Sequence, residues 1–245
     1  MSPGKPRLDA LLVARGLASD LKEARALVLA GKVLSGDTLL TQASALVPED
    51  GALRVRGRKV FASRAGLKLE AALDQGKIDV AGLNCLDLGA STGGFTDCLL
   101  RRGAAKVLSV DVGSNQLAWE LRQDPRVLSR ENTDYRSLRE GDLPQPLGFA
   151  CADLAFTSVK PVFACLARWL LPGASWAVLV KPQFEVHPSE LGPRGVLRDE
   201  ALRRRTLDEA ISAAKTAGLD CGGHLESPLA GAKGNREWLL WGVSK

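Results

Sequence analysis

Between residues 7 and 56 the apolar positions come in short bursts separated by polar turns. Leu8-Asp9-Ala10-Leu11-Leu12-Val13-Ala14 has the spacing of an amphipathic helix, closed by Arg15-Gly16. A second helix is predicted to start at Asp20, where Glu23 three residues on completes a capping-box pattern, and to stop at Gly31. Val33-Leu34-Ser35 and Leu53-Arg54-Val55-Arg56 read as short strands, the first turning through Gly36-Asp37. From Ser63 onward the pattern changes to longer segments that alternate in type. Helices are predicted over 64–73, 94–102, 159–170 and 200–217, and strands over 84–88, 106–110, 127–129, 149–154, 176–180, 223–226 and 237–243. Such alternation implies an α/β unit with a mostly parallel seven-stranded sheet and helices on both faces, ended by a β-β pair. The expected division is a small α+β domain over 5–57, a linker over 58–62 and the α/β domain over 63–245.

Composition narrows the classes. The chain has 245 residues, 45% hydrophobic and 25% charged, enough for a sizeable core. It has no apolar run of about 18 residues and no apolar leader, so neither a membrane span nor a secretion signal is expected. Five cysteines, odd in number and spaced without a C-x-x-C pattern, read as reduced core residues of a cytoplasmic protein. Only two histidines are present, so no metal is expected. The net charge is +5; residues 1–60 hold ten Lys/Arg against six acids, or +4, leaving +1 for the rest. A surplus gathered in the first quarter suits contact with a polyanion.

The segment most informative about chemistry is Leu86-Asp87-Leu88-Gly89-Ala90-Ser91-Thr92-Gly93-Gly94-Phe95, a buried strand, a small-residue turn and a helix start, with Asp111 ending the next strand. Small residues let backbone approach a ligand, and a strand-end carboxylate can take ribose hydroxyls. Ser91 stands where a dinucleotide-binding turn has its second glycine. Gly89-Ala90-Ser91-Thr92-Gly93 also fits the G-x-S-x-G elbow of serine hydrolases, with Asp153 and His187 or His224 in the right order. That elbow, however, follows several strands, and here only one precedes it. Four further polar residues occupy places a core would not choose. Asp153 and Lys181 each end an apolar strand, at the edge where open parallel sheets bind ligands. Pro182 holds Lys181 extended. Glu237 opens the last strand and Lys68 lies on the first helix after the linker.

The opening module resembles the S4 domain of RNA-binding proteins in Arg7-Leu8-Asp9-x-x-Leu12, Gly16-Leu17, Ala24, Leu27 and Gly31-Lys32-Val33. It departs from that pattern at Asp20-Leu21 and at Gly36-Asp37. The glycine-rich turn resembles the S-adenosylmethionine site of Rossmann-like methyltransferases. The order Lys68, Asp153, Lys181, Glu237 resembles the catalytic set of FtsJ-like ribose 2′-O-methyltransferases. From Arg7 to Val243 the chain is similar to the TlyA family of ribosomal RNA methyltransferases, also called haemolysins; Ser63–Leu69, the Asp87–Phe95 turn, Asp111–Gly113, Val180–Glu185 and Gly234–Glu237 are its most specific segments. The resemblance implies S-adenosylmethionine-dependent methylation of a cytidine ribose 2′-hydroxyl in ribosomal RNA, and ribosomal subunits as partners. It implies Lys68, Asp153, Lys181 and Glu237 as catalytic. For the cofactor it implies Asp87, Gly89, Ser91, Thr92, Gly93, Gly94, Phe95, Asp111 and Asp134. For RNA it implies Arg7, Arg15, Lys22, Arg25, Lys32 and Arg64. The chain stops eight residues after Glu237, like the shorter branch of the family that acts on large-subunit RNA.

A 2′-hydroxyl must lose its proton as it attacks, and Lys181 is the candidate base. A lysine in water holds its proton at neutral pH, whereas partial burial and a second amine nearby, Lys68, favour the neutral form. The 182–199 stretch, with Arg194 and Arg198, is long for a structureless connection and is expected to face RNA. A non-catalytic RNA-binding protein and a membrane-lytic one are the alternative readings.

Overall fold

The computed structural model describes residues 5–15, 17–18, 20–56, 61–231 and 233–245. Most of the predicted linker, and the helix stop at Gly16, lie outside these residues. The chain divides into two compact units, Met1–Lys59 and Val60–Lys245.

The first unit has two helices, α1 (Leu8–Ala14) and α2 (Leu21–Leu29), and three short strands, β1 (Val33–Ser35), β2 (Thr38–Leu39) and β3 (Leu53–Val55). The strands pair antiparallel in the order β2-β1-β3. Asp20 caps α2 by accepting the Glu23 amide at 2.8 Å. In the β1–β2 turn only Gly36 takes a positive φ, +58°, so the steric demand falls on the one residue that meets it freely. Leu8, Leu11, Leu12, Ala24, Val28 and Val33 form the core. Buried Asp9 accepts both Arg7 nitrogens, at 3.0 and 2.9 Å, and Arg25 Nε at 3.0 Å. The Arg7 guanidinium beside it holds the Asp9 carboxyl well below the usual carboxylate range.

The second unit opens with α3 (Ala65–Gly76) and then alternates: β4 (Asn84–Leu88), α4 (Gly94–Arg101), β5 (Lys106–Val110), α5 (Trp119–Gln123), β6 (Val127–Arg130), β7 (Leu147–Ala152), α6 (Lys160–Trp169), β8 (Ser175–Val180), α7 (Glu200–Thr216), β9 (Leu219–Glu226) and β10 (Trp238–Ser244). The seven strands run in the order β6-β5-β4-β7-β8-β10-β9. β10 is antiparallel to both its neighbours; the pairs among the first five are parallel. Period-2 alternation sends Leu86, Leu88, Ala150, Ala152, Val178 and Val180 to one face, against α6 and α7. It sends Cys85, Phe149, Cys151, Ala177 and Leu179 to the other, against α3 and α4. Both faces are therefore covered, as a parallel sheet requires. The chain reverses its winding direction between β4 and β7, so a crevice opens at their carboxyl ends, the place where ligands bind in such sheets.

The 182–199 stretch is built rather than structureless. It contains three single 3₁₀ turns, Pro182–Phe184, Pro188–Glu190 and Pro193–Gly195, each opened by a proline whose missing N–H is unused at that position.

Candidate active site

The turn after β4 carries Gly89 at φ +81°, Ser91 at +48° and Gly93 at +92°. Gly89 is dictated by chain packing: a Cβ there would sit 2.5 Å from the Asp153 carbonyl oxygen at the end of β7. Ser91 occupies the left-handed region despite its side chain. Its amide donates to Asp111 Oδ2 at 2.8 Å and its hydroxyl to Gln116 Oε1 at 3.1 Å, so no histidine activates it as a nucleophile. Asp111 Oδ1 accepts the Gly113 amide at 2.7 Å. Each carboxylate oxygen thus takes one backbone donor and keeps a free lone pair for a ligand.

Gly89, Ser91, Asp111, Asp134, Asp153 and Phe156 are among the residues lining a cavity of about 530 Å³ at the carboxyl ends of β4, β5 and β7. Asp134 caps the turn Tyr135–Ser137 through the Arg136 amide at 2.9 Å. The Arg136 side chain, donating from Nε at 2.9 Å, holds that carboxyl below its usual range.

The other residues expected at the cofactor are not among those that line this cavity. Asp87 is fully buried under the turn, where it accepts from Thr96 Oγ1 at 2.7 Å; the same hydroxyl meets Ser109 Oγ at 2.7 Å. Phe95 is a core residue, 2% exposed. Gly93 and Gly94 are small to admit protein: a Cβ would come within 2.2 Å of Leu121 Cδ1 at the first and of Ser63 Oγ at the second. Thr92 is exposed, its carbonyl accepting the Ala118 amide at 3.2 Å.

Burial pushes the Asp87 carboxyl up to about 7, with the Thr96 hydrogen bond opposing and the Asp153 charge adding to the rise. The folded chain then keeps this proton from about pH 4, where an unfolded chain releases it, to about pH 7. Over that interval the native state binds more protons, so this residue's contribution to stability falls as pH rises. The loss reaches about 4 kcal/mol above pH 7, at about 1.4 kcal/mol per unit. Asp87→Asn is expected to be more stable than wild type at pH 8 and to lose that advantage at pH 4, read as the difference between denaturant midpoints.

Two lysine–carboxylate pairs lie at the end of β8 and the start of β10, and Asp153 of the first lines the cavity. Lys181, directly after β8, places Nζ 2.5 Å from Asp153 Oδ1, both side chains mostly buried. Lys68, on the second turn of α3, places Nζ 2.5 Å from Glu237 Oε2, both buried. Trp238 pairs with Val180, so Glu237 and Lys181 flank the same rung of the β8–β10 ladder. Gln183, two residues after Lys181, donates to Glu237 Oε1 at 3.3 Å. Lys68, Lys181, Gln183 and Glu237 are thereby drawn together, although sequence separates them widely.

Three residues were given no role from sequence. Phe156 is 90% exposed at φ +63° on the cavity rim, its ring centroid 5.4 Å from that of Phe184. Glu185 ties the turn after β8 to the start of α6, accepting Ser158 Oγ and the Val159 amide, both at 2.7 Å. Gln183 was visible as part of a motif but not as a bridge. A non-glycine residue with positive φ and an exposed ring leaves no signal in hydrophobic patterning. His187 caps its own turn. Among the described residues, no three His, Cys, Asp or Glu side chains are grouped to hold a metal, and no helix is long and apolar enough to cross a membrane.

Of the basic residues proposed for RNA, Arg7 and Arg25 are engaged by Asp9. Arg15 donates to the Gly51 carbonyl at 2.5 Å and to that of Glu49, bracing the loop before β3. Lys22, Lys32 and Arg64 are exposed.

The profile of the FtsJ-like methyltransferases matches residues 61–243. The chain belongs to this family. Within it the chain falls with the TlyA proteins. It is 42% identical over 239 residues to the 16S/23S rRNA (cytidine-2′-O)-methyltransferase TlyA of Mycobacterium tuberculosis, covering 97% of this chain and 89% of that one. It is 36% identical to Hemolysin A of Brachyspira hyodysenteriae, covering 95% and 98%. A solved structure from Streptococcus thermophilus, provisionally named a hemolysin, matches with a TM-score of 0.73 at 35% identity, covering all of this chain and 90% of that one. FtsJ-like enzymes use S-adenosylmethionine, and the crevice suits it: Asp111 offers acceptors for ribose hydroxyls, and Asp134 and the backbone of Gly89 line the same cavity.

Proposed function

We propose that this protein transfers a methyl group to the ribose 2′-hydroxyl of a cytidine in ribosomal RNA. The observation that carries the reading is the pair of buried lysine–carboxylate contacts at the β8–β10 end of the sheet, with Asp153 of the first reaching the crevice. Bound S-adenosylmethionine supplies an electrophilic methyl group. The protein's share is then to hold the hydroxyl in line and to take its proton.

Lys181 Nζ would accept the 2′-hydroxyl proton as the oxygen takes the methyl group, the bond from methyl to sulfur breaking and its electron pair staying on sulfur. Asp153 fixes that amine at the crevice edge and presents negative charge to a cationic donor. Lys68, held by Glu237, adds a fixed positive charge that orients the ribose. Much of the acceleration comes from holding the two reactants in register. Phe156 offers an exposed ring at the rim on which a base can stack.

Exposed Lys22 and Lys32 in the first unit and Arg64 at the head of α3 give the RNA backbone cationic contacts. The S4-like reading of the first unit rests on its motifs, its basic surplus and its helix–helix–sheet order.

The test is transfer of tritium from labelled S-adenosylmethionine to ribosomal subunits from a strain lacking the protein, followed by mapping of ribose methylation in both subunits. A single cytidine 2′-O-methyl product supports the reading. Retention of RNA without any transfer would make the protein a non-catalytic binder.

A further inference from the structure

A second cavity, of about 690 Å³, lies at the β9–β10 end of the same sheet edge and has no part in the chemistry above. Its lining includes Arg194, Arg198, Arg203, Lys233 and Arg236, with Glu200 the acid among them. Its walls are built. Asn235, 3% exposed, accepts the Leu197 amide at 2.9 Å and donates to the Gly195 carbonyl at 3.0 Å, clamping the 192–197 loop to the turn before β10. Arg194 stands at φ +64° in that loop.

Charge compensation is incomplete. Arg203 donates to Glu200 at 2.8 Å and Glu226 at 3.2 Å, and Arg236 meets the same two carboxylates. Asp199, next in sequence to Arg198, is engaged by the Leu202 amide at 3.0 Å. Among the described residues no carboxylate lies in ion-pair range of Arg194, Arg198 or Lys233, all three exposed. Five cations against Glu200 and Glu226 leave three positive charges. In addition, the Arg203 side chain is 2% exposed and its Nη1 has no hydrogen-bond partner. The same guanidinium lies over the Trp238 ring, 4.6 Å from its centroid, and braces the cavity wall.

We propose that this cavity binds a backbone phosphate of the RNA, a few nucleotides from the ribose presented to Lys181. The assignment deepens the RNA methyltransferase reading and rests on it. Guanidinium groups match the paired oxygens of a phosphodiester. The sheet order β8-β10-β9 puts β9 two strand spacings from the strand that ends in Lys181, about 10 Å at ~4.8 Å each.

The experiment compares the full chain with an Arg194→Ala/Arg198→Ala/Lys233→Ala variant, all at exposed positions, and with Lys106→Ala at the opposite end of the sheet. The measurements are affinity for unmodified ribosomal subunits across a salt series, KM and kcat for methyl transfer, and S-adenosylmethionine affinity. The triple variant is expected to bind RNA about tenfold or more weakly, with a log–log salt slope smaller by about 1–2, near 0.7–0.9 per lost phosphate contact. KM should rise by the same factor, kcat and cofactor affinity should stay within about twofold, and Lys106→Ala should match wild type. Unchanged RNA affinity and salt slope overturn the proposal. So does protection of wild type, but not the triple variant, by inorganic phosphate while RNA affinity is equal in both, since the cavity would then hold a free anion. Absence of methyl transfer by wild type would defeat the enzymatic reading alone, and the binding comparison would still decide this one.

Discussion

Lys181→Ala is expected to lower kcat for methyl transfer by about 10²–10⁴-fold, the range that general acid–base catalysis supplies, with S-adenosylmethionine affinity within about twofold of wild type. The side chain leaves the end of β8 and meets Asp153 at 2.5 Å, two strands from the turn at Gly89. Removing it takes away the proton acceptor and leaves the crevice walls in place. Lys181→Arg sharpens the test. Arginine keeps the positive charge and a partner for Asp153, but it does not deprotonate in proteins. If the amine acts as a base, both variants are inactive; if it serves only as a fixed charge, arginine restores most of the rate. Single-turnover transfer of labelled methyl, beside calorimetric titration of the cofactor, reads both quantities. Near-normal turnover in the alanine variant would overturn the assigned base.

Glu237→Ala is expected to reduce stability by about 3–5 kcal/mol, because it strands the Lys68 ammonium in a site that is 8% exposed. For a chain of this length that corresponds to a fall in Tm of roughly 10 °C. Transfer activity should fall as well, since the ribose loses the charge that Lys68 holds in place. A companion variant separates the two effects. Replacing both partners by apolar residues, Lys68→Met with Glu237→Leu, removes the uncompensated charge and is expected to regain most of the lost stability. Activity should stay low. Thermal melts together with transfer rates decide the matter: recovery of both would show that the pair serves packing alone.

Hydrophobic patterning made most of the second unit legible, because each parallel strand is a short apolar run bounded by turns. The ends were harder. β9 begins at Leu219, four residues before its predicted start, because Asp220 and Gly222 interrupt the apolar pattern there. Gly223 is in the strand to admit the Trp241 ring, which a Cβ would approach within 2.7 Å. The five-residue α5 is too short for a helical period to show.

At the site, glycine spacing located the crevice but could not separate approach of a ligand from approach of the chain. Gly89 and Gly94 are both constrained by protein atoms, the second by Ser63, far upstream in sequence. Asp87 and Asp111 both adjoin apolar strand residues, yet only Asp111 reaches the cavity. Which way a strand carboxylate turns depends on α4, where Thr96 captures the first. Charge counting drew attention to residues 1–60 and loop length to Arg194 and Arg198, but neither could join Arg203, Lys233 and Arg236 to them, since only the fold brings these to one cavity.

Lys181 and Gln183 belong to one proline-started turn; the first grips Asp153 and the second reaches Glu237. A displacement of either contact is therefore conveyed to the other through a span of two residues that has little freedom to absorb it. The four ionic groups constitute one coupled mechanical assembly, in which damage at one corner loosens the opposite corner and paired lesions cost less than their sum.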